Sequence, residues 1–267
     1  MKKYRADALI HMQGLTESRE KAKRIIMQGK AFIGSERISK PGDMLSEDAE
    51  ITLKNVENKY VSRGGYKLEK AIESFELDLN GYICGDFGAS TGGFTDCMLQ
   101  NGAKYVYAID VGYGQIDWKL RTDERVNVIE RTNIRYLDTD MFEEKLDLVS
   151  IDVSFISLTL ILPPAFSSIK EDGRIIALIK PQFEAGKGKV GKKGIVKDIN
   201  VHKEVIEKIV DFTIANEHIP TKLDFSPITG AQGNIEYLVE IRKNGESIDE
   251  AKIDEVIERA QYQLLGE

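Results

Sequence analysis

Asp86-Phe87-Gly88-Ala89-Ser90-Thr91-Gly92-Gly93-Phe94-Thr95-Asp96 is a glycine-rich turn between an apolar stretch, 81–87, and a helix-like one that starts at Gly93. Glycines in such a turn let backbone approach a ligand, because no Cβ stands in the way. Three ligand classes compete for it. A P-loop requires lysine after its last glycine to reach phosphates, and Phe94 stands there. The dinucleotide fingerprint Gly-x-Gly-x-x-Gly also fits badly, since Ser90 sits two after Gly88 and the next glycines are Gly92 and Gly93. The third is S-adenosylmethionine, whose methionine part lies against such a backbone while an acidic residue at the end of the next strand holds the ribose hydroxyls. Asp110, in Ala108-Ile109-Asp110-Val111, stands at that place, 22 residues after Gly88.

Outward from this turn the chain alternates strand-like and helix-like patterns. Strands are predicted near 81–87, 104–110, 126–131, 146–152, 173–180, 221–226 and 234–242. Helices are predicted over Lys67 to Phe75, Gly93 to Asn101, Ile156 to Ile169 and Val201 to Asn216, with a last one carrying Ile253, Val256, Ile257, Ala260 and Leu264 on one face. Seven strands with helical crossovers imply an α/β sheet with both faces covered, a Rossmann-like fold. Asn234 to Arg242 alternates apolar and polar, as an antiparallel or edge strand would.

At a soft prior of roughly 150 residues per domain, 267 residues suggest one large domain, or one of ordinary size plus a small one. A 42% hydrophobic and 30% charged composition is that of a globular chain able to bury a core. Apolar runs such as Leu146 to Ile151 are far short of the about 20 residues a bilayer requires. The start is charged like a signal peptide, but Asp7, His11 and Gln13 interrupt any apolar region, so a cytosolic protein with no membrane role is expected. Cys84 and Cys97 read as buried thiols rather than a disulfide. His11, His202 and His218 have no metal-ligand spacing, and no metal is expected.

Net charge is −7, which alone argues against a nucleic-acid partner. The average misleads. Residues 1–60 hold 12 Lys/Arg against 9 Asp/Glu, and the remainder 25 against 35, so a small basic module precedes an acidic body. In that module a first helix, Tyr4 to Met12, closes at Gly14; Thr16 or Ser18 caps a second that Gly29 ends. Ala22, Ile25 and Ile26 share one face of the second helix, while Arg19 and Lys23 stand on another with Lys21, Arg24 and Lys30 nearby. A charge run of this size, taken alone, reads as a solvated face. The surrounding residues, Arg5-Ala-Asp-Ala-Leu-Ile, Leu15-Thr-Glu-Ser-Arg-Glu-Lys-Ala-Lys-Arg-Ile-Ile and Lys40-Pro-Gly-Asp, resemble the RNA-binding domain of ribosomal protein S-four type up to about Leu53. That resemblance implies an α+β module that docks on structured RNA through Arg5, Arg19, Lys23, Arg24 and Lys30. Residues 54–62 read as the linker, and the domains are expected at 1–60 and 61–267.

Five ordered motifs extend the resemblance across the chain: Ser62-Arg-Gly-Gly-Tyr-Lys67-Leu, the turn at 86–96, Ser150-Ile-Asp152-Val-Ser-Phe-Ile-Ser157, Ile179-Lys180-Pro-Gln-Phe-Glu184 and Gly233-Asn-Ile-Glu236-Tyr. They resemble the TlyA family, ribosomal RNA 2′-O-methyltransferases sometimes labelled hemolysins, built as an S-four-type domain followed by an FtsJ-like methyltransferase. The resemblance implies methylation of a ribose, by family likeness in cytidine, with ribosomal RNA or ribosomal subunits as partner and S-adenosylmethionine held by Asp86, Gly88, Ala89, Ser90, Thr91, Gly92, Gly93, Phe94 and Asp110. Asn133, two residues past the third strand, could face the adenine or form a turn.

A ribose 2′-hydroxyl is a poor nucleophile, so the transfer needs its proton removed and its oxygen aligned. The FtsJ-like pattern Lys, Asp, Lys, Glu falls on Lys67, Asp152, Lys180 and Glu236, with Lys180 as base, the two carboxylates positioning it and Lys67 acting electrostatically. Beyond Lys180, Gly186 to Gly194 carries Lys187, Lys189, Lys192 and Lys193 in a loop that could close over RNA backbone. Two rival readings stand: a membrane-active hemolysin, and an RNA-binding assembly factor without turnover. The first would need a cationic amphipathic or long apolar segment that the chain lacks.

Overall fold

The computed structural model describes residues 2–16, 18–54, 59–186, 188–191 and 193–265. These fall into two compact units, one of residues 1–59 together with 228–233, the other of 60–227 and 234–267. Residues 55–58 of the expected linker lie outside the described residues, and Tyr60 belongs to the second unit.

In the first unit β1 (Lys3–Arg5) leads into α1 (Ala6–Met12), followed by α2 (Arg19–Met27), β2 (Ala31–Ile33), β3 (Glu36–Arg37), β4 (Met44–Ser46) and β5 (Ile51–Leu53). Strand β1 pairs antiparallel with β4, and β2 lies between β3 and β5. Helix α1 therefore starts two residues later than its periodicity suggests, because Tyr4 pairs with Leu45 in a ladder. Ser18 caps α2, its hydroxyl accepting from Lys21 N at 3.2 Å. Gly14 and Gly29 stop the two helices with φ of +68° and +69°, the left-handed region that L-residues avoid. Leu9, Ile10, Ala22, Ile25 and Ile26 form the small core.

The basic face of this unit is less free than its sequence implies. Arg5 and Arg19 both bond the fully buried Asp7, at 3.1 and 3.2 Å, and Lys23 pairs with Glu20 at 2.5 Å. Burial works against charge on Asp7, but the two guanidinium groups hold its carboxyl below the usual range.

In the second unit the order is α3 (Gly64–Phe75), β6 (Ile83–Phe87), α4 (Gly93–Gln100), β7 (Tyr105–Ile109), α5 (Trp118–Arg121), β8 (Val126–Ile129), β9 (Leu146–Ile151), α6 (Leu162–Ser168), β10 (Ile169–Ile179), α7 (Pro181–Glu184), α8 (Ile199–Ala215), β11 (Ile219–Phe225), β12 (Tyr237–Arg242) and α9 (Glu250–Leu265). The seven strands form one sheet in the order β11-β12-β10-β9-β6-β7-β8, with β12 antiparallel to both its neighbours and the other pairs parallel. Along β10, Ile175, Ala177 and Ile179 enter one core and Ile176 and Leu178 the other, which is why this run is apolar without alternation. Cys84 and Cys97 are both buried, as thiols rather than a disulfide.

One element departs from the sequence pattern. The helix expected from Ile156 begins only at Leu162, after a 3₁₀ turn at Leu158–Leu160, because Pro163 and Pro164 have no N–H with which to continue an earlier helix; ahead of it Glu184 accepts from Leu158 N and the Ser157 hydroxyl, both at 2.6 Å. Strand β12 is antiparallel, as its alternation implies, and lies one strand in from the edge, between β11 and β10. Its alternating polar residue Glu240 is fully buried, accepting from Arg174 at 3.0 Å and Thr221 at 2.7 Å.

Asp86, next to last in β6, has no exposure and accepts from Thr95 N at 2.9 Å and Thr95 Oγ1 at 2.7 Å, tying the strand to α4 across the turn. Burial pushes its carboxyl up to about 7, against the Thr95 bonds that favour the charged form. In an unfolded chain the same group ionises near ~4. The native state thus binds the extra proton between these values, and the contribution of Asp86 to stability falls as pH rises through that window. Asp86→Asn should escape this decline, so its melting temperature minus that of the parent should increase from about pH 5 to about pH 8. Thermal unfolding with a pH-independent difference would contradict the assignment.

Candidate active site

Strand β6 starts the sheet at its centre; β7 and β8 extend one side, and the chain then returns to lay β9 and β10 on the other. Open α/β sheets bind ligands in the crevice at the carboxyl ends of the strands where the order reverses, here between β6 and β9. The turn quoted above lies there. Gly88 adopts φ +91°, and a Cβ on it would stand 2.7 Å from the backbone oxygen of Asp152. Gly92 (φ +94°) has room for a Cβ only by displacing Leu120. Gly88 N and Ala89 N both donate to Ile109 O, at 2.9 and 3.1 Å, so the turn is pinned to the end of β7.

Asp110 follows β7 directly. Its Oδ2 accepts from Ser90 N at 2.8 Å and its Oδ1 from Gly112 N at 2.6 Å. A carboxylate offers about four acceptor positions, so lone pairs remain for ribose hydroxyls. Val111 beside it is 72% exposed and gives an apolar surface. Ala89, Ser90 and Thr91 complete this cradle. Asp86, Gly93 and Phe94 face inward instead: Asp86 binds Thr95, Phe94 joins the core, and a Cβ on Gly93 would meet the Ser62 hydroxyl. Asn133 is exposed, and its side-chain oxygen accepts from Arg135 N at 3.1 Å in a local turn.

The four charged residues of the motif pattern meet at the same edge. Lys67, in the first turn of α3, donates to Glu236 Oε2 at 2.7 Å and to Asp152 Oδ2 at 3.3 Å. Lys180 stands 2.5 Å from the other oxygen, Asp152 Oδ1. Both lysines are 6% exposed and Glu236 2%. The register explains the meeting: Ile179 pairs with Tyr237 across antiparallel β10 and β12, so the residues just beyond them, Lys180 and Glu236, leave the sheet side by side. Burial works against charge on Lys67, yet Asp152 and Glu236 outweigh it and raise its pKa. Burial likewise opposes charge on Asp152, and the two ammonium groups hold it well below the carboxylate range.

Of the basic loop, Lys187 and Lys192 lie outside the described residues; Lys189 pairs with Glu204 and Lys193 is exposed. Asn234 anchors the end of this loop, accepting from Val196 N at 3.1 Å and donating to Gly194 O at 2.9 Å, two residues before Glu236. Ser154, which donors and acceptors in the sequence do not single out, receives a hydrogen bond from Lys180 Nζ at 3.1 Å. Among the described residues no group of His, Cys, Asp and Glu is arranged to hold a metal ion, and no helix is long and apolar enough to cross a membrane.

A central switch-point cradle with an acidic residue after the second strand, and a charged cluster on the same edge, define a Rossmann-like methyltransferase. The chain belongs to the FtsJ-like methyltransferase family, whose profile matches residues 60–243, and within it to the TlyA group. It is 48% identical over 98% of its length to YqxC of Bacillus subtilis, a candidate rRNA methyltransferase, covering 96% of that protein. It is 39% identical over 96% of its length to the 16S/23S rRNA (cytidine-2′-O)-methyltransferase TlyA of Mycobacterium tuberculosis, again covering 96%. A solved structure described as a candidate hemolysin from Streptococcus thermophilus matches with a TM-score of 0.78 and 46% identity, over 100% of this chain and 98% of that one. The methyl donor of the FtsJ-like family is S-adenosylmethionine, and the open glycine turn with Asp110 beside it fits that ligand.

Asp110→Ala should weaken S-adenosylmethionine binding by roughly 1.5–3 kcal/mol, the range for a hydrogen bond to a charged group. Calorimetry checks this, and an unchanged affinity would remove Asp110 from the site.

Proposed function

We propose that this protein methylates a ribose 2′-hydroxyl of cytidine in ribosomal RNA, with the 61–267 region as catalyst and the 1–60 region as an S-four-type RNA-docking module working in the cytosol. The observation that carries the reading is the buried Lys67–Asp152–Lys180–Glu236 cluster beside the cofactor cradle. Names of relatives at 39% and 48% identity that act on rRNA support the substrate class.

When bound, S-adenosylmethionine supplies an electrophilic methyl group. Lys180, after losing its own proton to solvent, serves as the base that takes the proton from the 2′-oxygen, and an amine suits this task beside RNA phosphates because it leaves no anion facing them. Asp152 orients Lys180 through Oδ1. Lys67, fixed as a cation by Asp152 and Glu236, keeps the second oxygen of Asp152 occupied, so that this carboxylate holds Lys180 rather than turning toward the substrate. Gly88, Ala89, Ser90, Thr91 and Gly92 present backbone to the donor, and Asp110 accepts from its ribose.

Incubation with ribosomal subunits and labelled cofactor, followed by mapping of 2′-O-methyl marks, tests the whole reading; no ribose mark on any subunit would overturn it. Lys180→Arg should lose about 10²-fold or more in single-turnover rate, since guanidinium does not give up its proton in proteins. Near-parental methylation by that variant would leave Lys180 with an electrostatic role alone.

RNA docking is assigned to exposed cations of the first unit. Arg19 is unsuited to a charge-reversal test, because a glutamate there would face buried Asp7. Arg24→Glu with Lys30→Glu should instead weaken RNA binding and make its salt dependence shallower, while cofactor affinity stays parental. Filter binding across a salt series that matched the parent throughout would shift the docking role to Lys189 and Lys193 in the 186–194 loop.

A further inference from the structure

We propose that Ser154 is a positioning residue for Lys180, and that the 153–158 segment is folded to keep its hydroxyl there; this rests on the ribose-methylation reading above. The nitrogen of a lysine has three directions left after its bond to Cε. In Lys180 one is taken by Asp152 Oδ1 at 2.5 Å and a second by Ser154 Oγ at 3.1 Å. Two fixed directions determine the third, which is the one that must receive the proton of the substrate. With Asp152 alone, the amine could rotate about that single contact and sweep its third direction over a cone.

The segment that carries Ser154 is held in a costly conformation. Phe155 has φ +63°, a region a bulky residue adopts only when its surroundings enforce it, and its side chain is 90% exposed, so burial of the ring is not the reason. The enforcing contacts come from α7. Glu184, 7% exposed, accepts from Ser157 Oγ and Leu158 N, both at 2.6 Å, and is itself held by Lys208 at 2.9 Å. Phe183 sets its ring 4.9 Å from that of Phe155. Lys180 immediately precedes α7. One short stretch, 180–184, therefore both presents the base and clamps the loop that brings the serine to it.

The test compares Ser154→Ala and Ser154→Thr in single-turnover methylation of ribosomal subunits, with ¹⁵N-lysine NMR of the protein alone as a second measurement. Ser154→Ala should slow methyl transfer tenfold or more, on the order of one hydrogen bond to a charged group. The KM for RNA, the cofactor affinity and the melting temperature should stay near parental. Ser154→Thr, which keeps the hydroxyl, should recover most of the rate. In the free protein the Lys180 Nζ signal, assigned by its loss in Lys180→Arg, should shift in the Ala variant and stay in place in the Thr variant. A parental rate in Ser154→Ala, equal loss in both variants, or an unmoved Lys180 signal would each overturn the proposal. If the parent itself marks no ribose, the reading above fails, and the NMR comparison still decides whether Ser154 orients Lys180.

Discussion

Two lysines share the carboxylate of Asp152, one on each oxygen, and one of them is also bound by Glu236. Charges this deeply buried persist only when each has a partner in good geometry, since removing one member leaves another uncompensated at a cost of roughly 3–5 kcal/mol. The arrangement therefore constrains four separate pieces of backbone at once: the first turn of α3, the ends of β9 and β10, and the approach to β12. The demand on α3 explains its local sequence. A Cβ on Gly65 would stand 2.3 Å from the Tyr60 ring, and one on Gly93 would stand 2.9 Å from Gly65 N. Small residues let the helix start sit close enough to the sheet edge for Lys67 to reach both carboxylates.

The same constraint places the donor cradle. Gly88 approaches the backbone oxygen of Asp152 too closely for any side chain, so the turn after β6 and the charged cluster after β9 are parts of one continuous surface. Reversal of strand order at this point supplies the crevice, and antiparallel β12 supplies Glu236 from a strand running the opposite way. An all-parallel sheet would have put the start of that strand at the far edge. The change of direction in one strand is thus a requirement of the site.

Electrostatics divides the labour between the two units. The acidic body sets two of its lysines, Lys67 and Lys180, against buried carboxylates. In the first unit Asp7 plays a comparable part on a smaller scale, gathering Arg5 and Arg19 from different elements and fixing their direction. Arg24 stands exposed. Counting cations along α2 overstates the charge free to meet phosphate, because pairing with Asp7 and Glu20 depends on which faces the fold brings together.

The amino-acid sequence by itself determined the class of fold and the membership of the site. Continuous apolar runs predict strands covered on both faces, and the 86–96 turn followed by Asp110 predicts the cradle, because both signals are local: periodicity and glycine placement act within about ten residues. Lys67, Asp152, Lys180 and Glu236 were legible only as motif positions, since residues up to 169 apart carry no mutual signal until a sheet register joins them. Only the tertiary structure decided that Asp86 and Phe94 serve the interior and that β12 lies inside the sheet, between β11 and β10. Thr95 and the burial around it decide the first, and the Ile179–Tyr237 register the place of β12. Ahead of α6, Glu184 fixes the 157–158 segment by accepting from Ser157 Oγ and Leu158 N.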